Sequence, residues 1–179
     1  VYLVTSLSGF PDSEQSIALE VSQEIERKII DYAERRIEER IPLAYLLGFC
    51  RYAGHRFSIK EGVVIPRSPI GLLVSEGHLK SLVGKGVKRI LDLCTGSGCL
   101  GILAAHEYPE AEVVLVDIEP LAVDLAKKNV QEHDLQSRVS VVKMDVTSET
   151  LGDLGEFELI LCNPPYVDEI DMRSLPEEF

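Results

Sequence analysis

The sequence predicts an α/β fold, a doubly wound and mainly parallel sheet preceded by a small helical segment and a β-hairpin. Two observations carry that prediction. Short apolar runs recur beyond Gly86 with helical patterns between the first three of them, and the glycine-rich loop Thr95-Gly96-Ser97-Gly98 joins the first run to its helix. Strands alternating with helices build a parallel sheet whose ligands sit at the carboxyl ends of the strands.

In chain order, Ile17, Val21, Ile25, Ile29, Ala33 and Ile37 recur at helical spacing among charged residues, which predicts an amphipathic helix from Ser13 to Arg40. Pro42 interrupts the pattern, so Ile41 to Leu47 reads as a short packed connector. Phe57 and Ile59 then alternate with polar residues before Glu61-Gly62 and Val63-Val64-Ile65, which predicts a hairpin within Gly48 to Ile65. Ser68-Pro69 is an N-cap followed by a first-turn proline and opens a helix that fades near Gly84 and Gly86. The strands that follow are Arg89–Leu93, Glu112–Asp117, Arg138–Met144 and Glu156–Cys162, with helices at Cys99–Glu107 and Pro120–His133. Residues 1–67 therefore read as a helical and hairpin region and residues 68–179 as the sheet domain.

Composition narrows the function classes. Of 179 residues, 45% are apolar, enough for a buried core. Thirty acidic residues against eighteen basic ones give a net charge of -12, which repels a phosphate backbone and favours a basic protein partner. Cys50, Cys94, Cys99 and Cys162 form no Cys-x-x-Cys pair and read as the reduced thiols of a cytoplasmic protein. His55, His78, His106 and His133 share no ligand spacing, so no metal site is expected. No apolar stretch reaches membrane-spanning length and no leader pattern opens the chain, so no membrane association is expected. Val1 is not a methionine and the chain stops at Phe179 soon after a loop, so both ends read as trimmed.

The chemistry-bearing residues all fall at the carboxyl ends of predicted strands. Asp92 to Cys99 is a strand end, a glycine loop and a helix start, where glycines admit close backbone approach and helix N–H groups stand unpaired. Gly96-x-Gly98-x-x-Gly101 also fits a dinucleotide fingerprint, but Asp92 beside the loop would repel a pyrophosphate and suit a cationic amino-acid group. Asp117 ends the next strand and can accept both hydroxyls of a ribose, while Asp145 after the third can accept from an adenine amino group. The alternative for these acids is capping or turn formation, most of all for Asp145. Taken together they match S-adenosyl-L-methionine, with a binding set of Asp92, Cys94, Thr95, Gly96, Gly98, Asp117, Ile118, Asp145 and Asn163.

After the fourth strand stands Asn163-Pro164-Pro165-Tyr166. The Asn163 side-chain carbonyl and the Pro164 backbone carbonyl can each accept from one planar NH2 group, and the prolines stiffen both acceptors. An amide or exocyclic amine is a poor nucleophile, so alignment against a methyl donor is much of what a protein can contribute. Tyr166 can stack on the planar group and favour a sulfonium charge through its π face. No metal is required.

Asp92 to Cys99, Asp117 and Asn163 to Tyr166 together resemble the amino-methyltransferases, and the rest of the chain resembles the HemK-type protein N5-glutamine methyltransferases. That resemblance covers nearly the whole chain. It is carried by Arg40 to Leu46, Val64 to Gly71, and Tyr166-Val167-Asp168 running on to Asp171-Met172 and Leu175-Pro176. Release-factor enzymes of the family usually have Arg-Pro-acid-Thr where this chain has Arg67-Ser68-Pro69-Ile70. The form found here looks like the branch that methylates a glutamine of large-subunit ribosomal protein three. The resemblance implies a Rossmann-like, S-adenosylmethionine-dependent methyltransferase fold with catalytic residues Asn163, Pro164 and Tyr166. It also implies that the N-terminal region helps to bind a basic ribosomal protein, with Arg67, Asn163, Pro164, Pro165 and Tyr166 bordering the substrate. Family members continue for further strands, so the working enzyme is expected to be longer. A DNA adenine methyltransferase would use the same asparagine loop, but the acidic balance opposes direct DNA binding. A nicotinamide reductase would leave that loop without a role, and a binding module without turnover would need only the cofactor site.

Overall fold

The computed structural model describes residues 2–8, 20–148 and 150–166. They form two compact units that divide after Gly48.

The first unit holds α1 (Tyr2–Ser8), α2 (Gln23–Glu38) and α3 (Leu43–Leu47). Within the described residues α2 starts later than its apolar period suggested, because Ser22 is extended (φ -66°, ψ 155°) and its side chain accepts from the Ile25 N–H at 3.4 Å. Residues 13–19 of the predicted helix lie outside the described residues. Glu24 and Glu26 in the first turn and Arg35 and Arg36 in the last complement the helix dipole. The apolar stripe is half-buried at Ile25, Ile29 and Ala33 and open at Ile37.

The second unit begins with the hairpin of β1 (Phe49–Tyr52) and β2 (His55–Ser58). Its turn corrects the sequence expectation. The chain reverses at Ala53-Gly54, both at positive φ (48° and 81°), not at Glu61-Gly62. Two successive positive φ values match the twist of paired strands, but alanine seldom adopts them, so the pair gives little turn signal. Val63, expected in the returning strand, instead packs as a buried core residue with Leu121, Ala122 and Leu125. Ser68 caps α4 (Pro69–Ser75) as expected, accepting from the Ile70 N–H at 3.3 Å. The helix then breaks at Gly77 (φ 73°), so α5 (His78–Val83) is a separate element.

The remaining elements are β3 (Arg89–Leu93), α6 (Cys99–Glu107), β4 (Glu112–Asp117), α7 (Pro120–Glu132), β5 (Val139–Lys143) and β6 (Leu159–Cys162). The four strands form one parallel sheet in the order β5-β4-β3-β6. Adjacency of the first and fourth sheet strands is what the alternating pattern predicted. Ile90, Leu91, Val113, Leu115 and Val116 are almost wholly buried. Residues Cys99 to Ala105 of α6 are all buried, which explains why that helix has no polar face in sequence.

Candidate functional site

The site is assembled along the carboxyl edge of the sheet. β3 ends at Leu93, and the backbone turns through Cys94, Gly96 and Gly98 at φ values of 54°, 56° and 82°. The Thr95 N–H donates to the Val116 carbonyl at 3.0 Å and the Gly98 N–H to the Thr95 carbonyl at 2.9 Å, which moors the loop to β4. The three glycines serve different ends. A Cβ on Gly101 would collide with Leu115, and one on Gly98 would meet Ala126 and Leu115 at 3.2 Å, so both permit close packing of α6. A Cβ on Gly96 would find only Val63 at 3.7 Å, which leaves this glycine on the open side of the loop.

Asp92 is fully buried beneath that loop. Its Oδ2 accepts from the Thr95 hydroxyl and, at 2.9 Å, from the Gly101 N–H. Its Oδ1 is buried without a hydrogen-bond partner. Burial pushes the carboxyl up to about 7 against the pull of the Thr95 and Gly101 bonds. An unpaired acceptor oxygen at a strand end fits a ligand that brings a cationic group.

Asp117 stands half-buried at the end of β4, where Oδ2 accepts from the Gly96 N–H at 2.8 Å and Oδ1 from the Glu119 N–H at 3.0 Å. Each oxygen keeps a second lone pair, so the carboxylate is fixed beside the loop and can still accept hydroxyls. Next to it Ile118 is 50% exposed and offers an apolar surface. Asp145 is different: it accepts from the Thr147 N–H and hydroxyl at 2.9 and 2.7 Å and from the Ser148 hydroxyl at 2.8 Å. The Thr147 hydroxyl, more than any other group, holds its carboxyl below the usual range. These three bonds are those of a turn closed on itself.

The register of β3 and β6 pairs Leu93 with Cys162, so the glycine loop and Asn163 both leave the sheet directly after this last pair, at its carboxyl edge. Asn163, Pro164, Pro165 and Tyr166 are all exposed, Tyr166 at 79%. Arg67 is also exposed, just before the α4 cap. Residues from Val167 onward, including Asp168, Asp171-Met172 and Leu175-Pro176, lie outside the described residues. Burial pushes the Cys94 thiol up to about 11, with the adjoining Cys162 acting in the same sense, and burial also raises Cys162.

Asn129 was missed in sequence because an asparagine inside a helix carries no signal of its own. It is wholly buried, accepts from the Ser58 N–H at 2.7 Å and donates to the Ser58 and Ser97 carbonyls at 3.1 and 2.7 Å. One side chain thus ties β2 to the glycine loop. Asn129→Ala is expected to lower unfolding stability by about 3 kcal/mol, since three buried backbone groups lose their partner. Denaturant midpoints at an unchanged m value would check this; a loss below about 1 kcal/mol would show the tie to be dispensable.

A family model described as the methyltransferase small domain matches residues 74–177. Two relatives share a name, ribosomal protein uL3 glutamine methyltransferase. That of Bordetella pertussis is 43% identical over 85% of this chain and 51% of its own length. That of Francisella tularensis is 41% identical over 84% of this chain and 48% of its own. The chain therefore spans about half the length of these relatives. Among solved structures, the catalytic domain of human METTL16 with an RNA hairpin aligns with a TM-score of 0.56 at 20% identity, over 97% of this chain and 58% of that one. The N-terminal domain of human METTL16 with SAH aligns with a TM-score of 0.52 at 21% identity, over 84% and 56%. At such identities these two structures share the fold. Among the described residues no helix is long and apolar enough to cross a membrane.

Proposed function

Because the chain belongs to the methyltransferase small domain family, we propose that the whole protein methylates the side-chain amide nitrogen of a glutamine in ribosomal protein uL3. The observation that carries this reading is the β3–β6 register, which sets Asn163 beside the glycine loop at the carboxyl edge. The name borne by both relatives at 41% to 43% identity supports the choice of glutamine and of uL3.

S-adenosylmethionine, when bound, supplies a methyl group on a sulfonium centre. Asp92 would face its ammonium with Oδ1, Asp117 would accept ribose hydroxyls, and Gly96 would leave room for the chain of the cofactor. Cys94, Thr95 and Gly98 would shape that wall, Ile118 would cover the base, and Asp145 would accept from its amino group. The Asn163 and Pro164 carbonyls would orient the substrate NH2, and Pro165 would hold their spacing. Tyr166 would cover the planar amide, and Arg67 would border the incoming segment. The raised pKa of Cys94 also matters here: a thiol kept protonated at neutral pH does not compete with the substrate for the methyl group. A net charge of -12 suits a basic ribosomal protein met in the cytoplasm. Residues 1–67 would serve substrate binding and residues 68–179 the methyl-transfer chemistry.

The test uses the full-length protein with isotopically labelled S-adenosylmethionine and three unmethylated acceptors: large-subunit ribosomal proteins, a release factor, and DNA. A single labelled glutamine in uL3 is expected. Label on a release-factor glutamine would overturn the substrate, and label on adenine alone would overturn the amide chemistry.

A further inference from the structure

His55 in the hairpin, His106 in the last turn of α6 and His133 at the cap of α7 are far apart in sequence, yet their ring nitrogens lie within 4.8 Å of one another. We propose that these three side chains form a binding site for a transition-metal dication of the zinc class, with water completing the coordination.

The tautomers support ligation. His133 Nε2 lies 3.0 Å from the Arg56 carbonyl, and only a protonated ring nitrogen can bond a carbonyl. Its Nδ1 therefore carries a lone pair, which faces His106 Nε2 at 3.0 Å. Two imidazole nitrogens at about 2.0–2.1 Å from a tetrahedral ion stand about 3.3 Å apart, so an ion can replace the shared proton with little movement. The Arg56 carbonyl is also the kind of outer partner that fixes ligand histidines. His133 stacks on buried Phe57 at 4.9 Å and 24°, which holds its plane, whereas His55, stacked on His106 at 4.7 Å and 16°, has to turn its ring to bring a nitrogen lone pair to the ion. Burial, more than the neighbouring histidines, lowers the pKa of His55 and His106. Arg138 adds a smaller repulsion on His106, but its guanidinium is engaged by the carbonyls of Ala105, Tyr108 and Ala111. Imidazole donors suit zinc, copper and nickel and not the oxygen-seeking cations.

Its position says what the ion would do. Helix α6 starts at the glycine loop and His106 lies in its last turn, so the cluster sits at the far end of that helix from the loop. The ion would pin the hairpin to two core helices and take no part in methyl transfer.

Tag-free, chelator-treated full-length protein would be titrated with Zn2+ and with Co2+. We expect one Zn2+ per chain by calorimetry, a visible Co2+ band displaced by Zn2+, and a melting temperature that rises with Zn2+. His106→Gln, at an exposed position, should weaken binding at least about tenfold and abolish the thermal shift while metal-free methylation is unchanged. His55→Gln should do the same. Absence of stoichiometric binding, or binding and thermal shift that survive both variants, would overturn the site.

Discussion

Asn163→Ala is expected to lower kcat/KM for glutamine methylation by about 10³-fold while S-adenosylmethionine binds within about threefold of wild type. A factor of that size is about 4 kcal/mol of transition-state stabilisation, within what alignment of a weak nucleophile can contribute. Asn163 is exposed and lies beyond the last hydrogen-bonded residue of β6, so its removal leaves the core untouched and the variant should fold as wild type. The loss should appear in kcat as well as in KM, because the alanine still leaves the Pro164 carbonyl to bind the amide but not to aim it. Single-turnover kinetics beside calorimetric cofactor titration would separate the two. A fall of less than about tenfold, or an equal loss of cofactor affinity, would overturn the proposed place of Asn163 at the reacting nitrogen.

What the sequence disclosed and what it hid divide along physical lines. Strands β3 to β6 were readable because each is a short apolar run bounded by turn residues, and the adjacency of β3 and β6 followed from the doubly wound topology. The acids and the asparagine loop were readable because the topology sends every strand end to one edge. The hairpin turn was hidden by Ala53, whose left-handed backbone is uncommon outside glycine and asparagine. The break at Gly77 was hidden because a glycine inside an apolar helical pattern is compatible with either outcome. Asn129 and the three histidines were invisible for another reason. Their partners come from distant segments, and no local pattern records that Ser58, Ser97 and Asn129, or His55, His106 and His133, will meet. The contrast between Asp117 and Asp145 is of the same kind, since Asp117 ends β4 and accepts from the glycine loop while Asp145 follows β5 and accepts from Thr147 and Ser148 in its own turn.

Asp92→Asn is expected to stabilise the ligand-free protein at pH 8 and to weaken S-adenosylmethionine binding by about 10- to 100-fold. Burial lifts the Asp92 carboxyl from the ordinary 3.8 to about 7, so between those values the folded chain holds a proton that the unfolded chain has lost. Stability therefore falls as pH rises from about 4 to about 7 and is level above that, a cost of at most about 4 kcal/mol by linkage. Asparagine keeps an oxygen for Thr95 and Gly101 and replaces the unpartnered Oδ1 by an uncharged NH2. That group is still unpaired, so the gain at pH 8 should be smaller, about 1–3 kcal/mol, and the slope between pH 5 and 8 should flatten. Denaturation curves at the two pH values would read both effects. The binding loss follows from the same oxygen: a buried carboxylate that is costly alone is offset when a cationic ligand arrives, so the site keeps a destabilising group for the sake of its ligand. A variant less stable than wild type at pH 8 that binds the cofactor normally would make Asp92 a support of the glycine loop alone, and the ammonium would have to be met elsewhere.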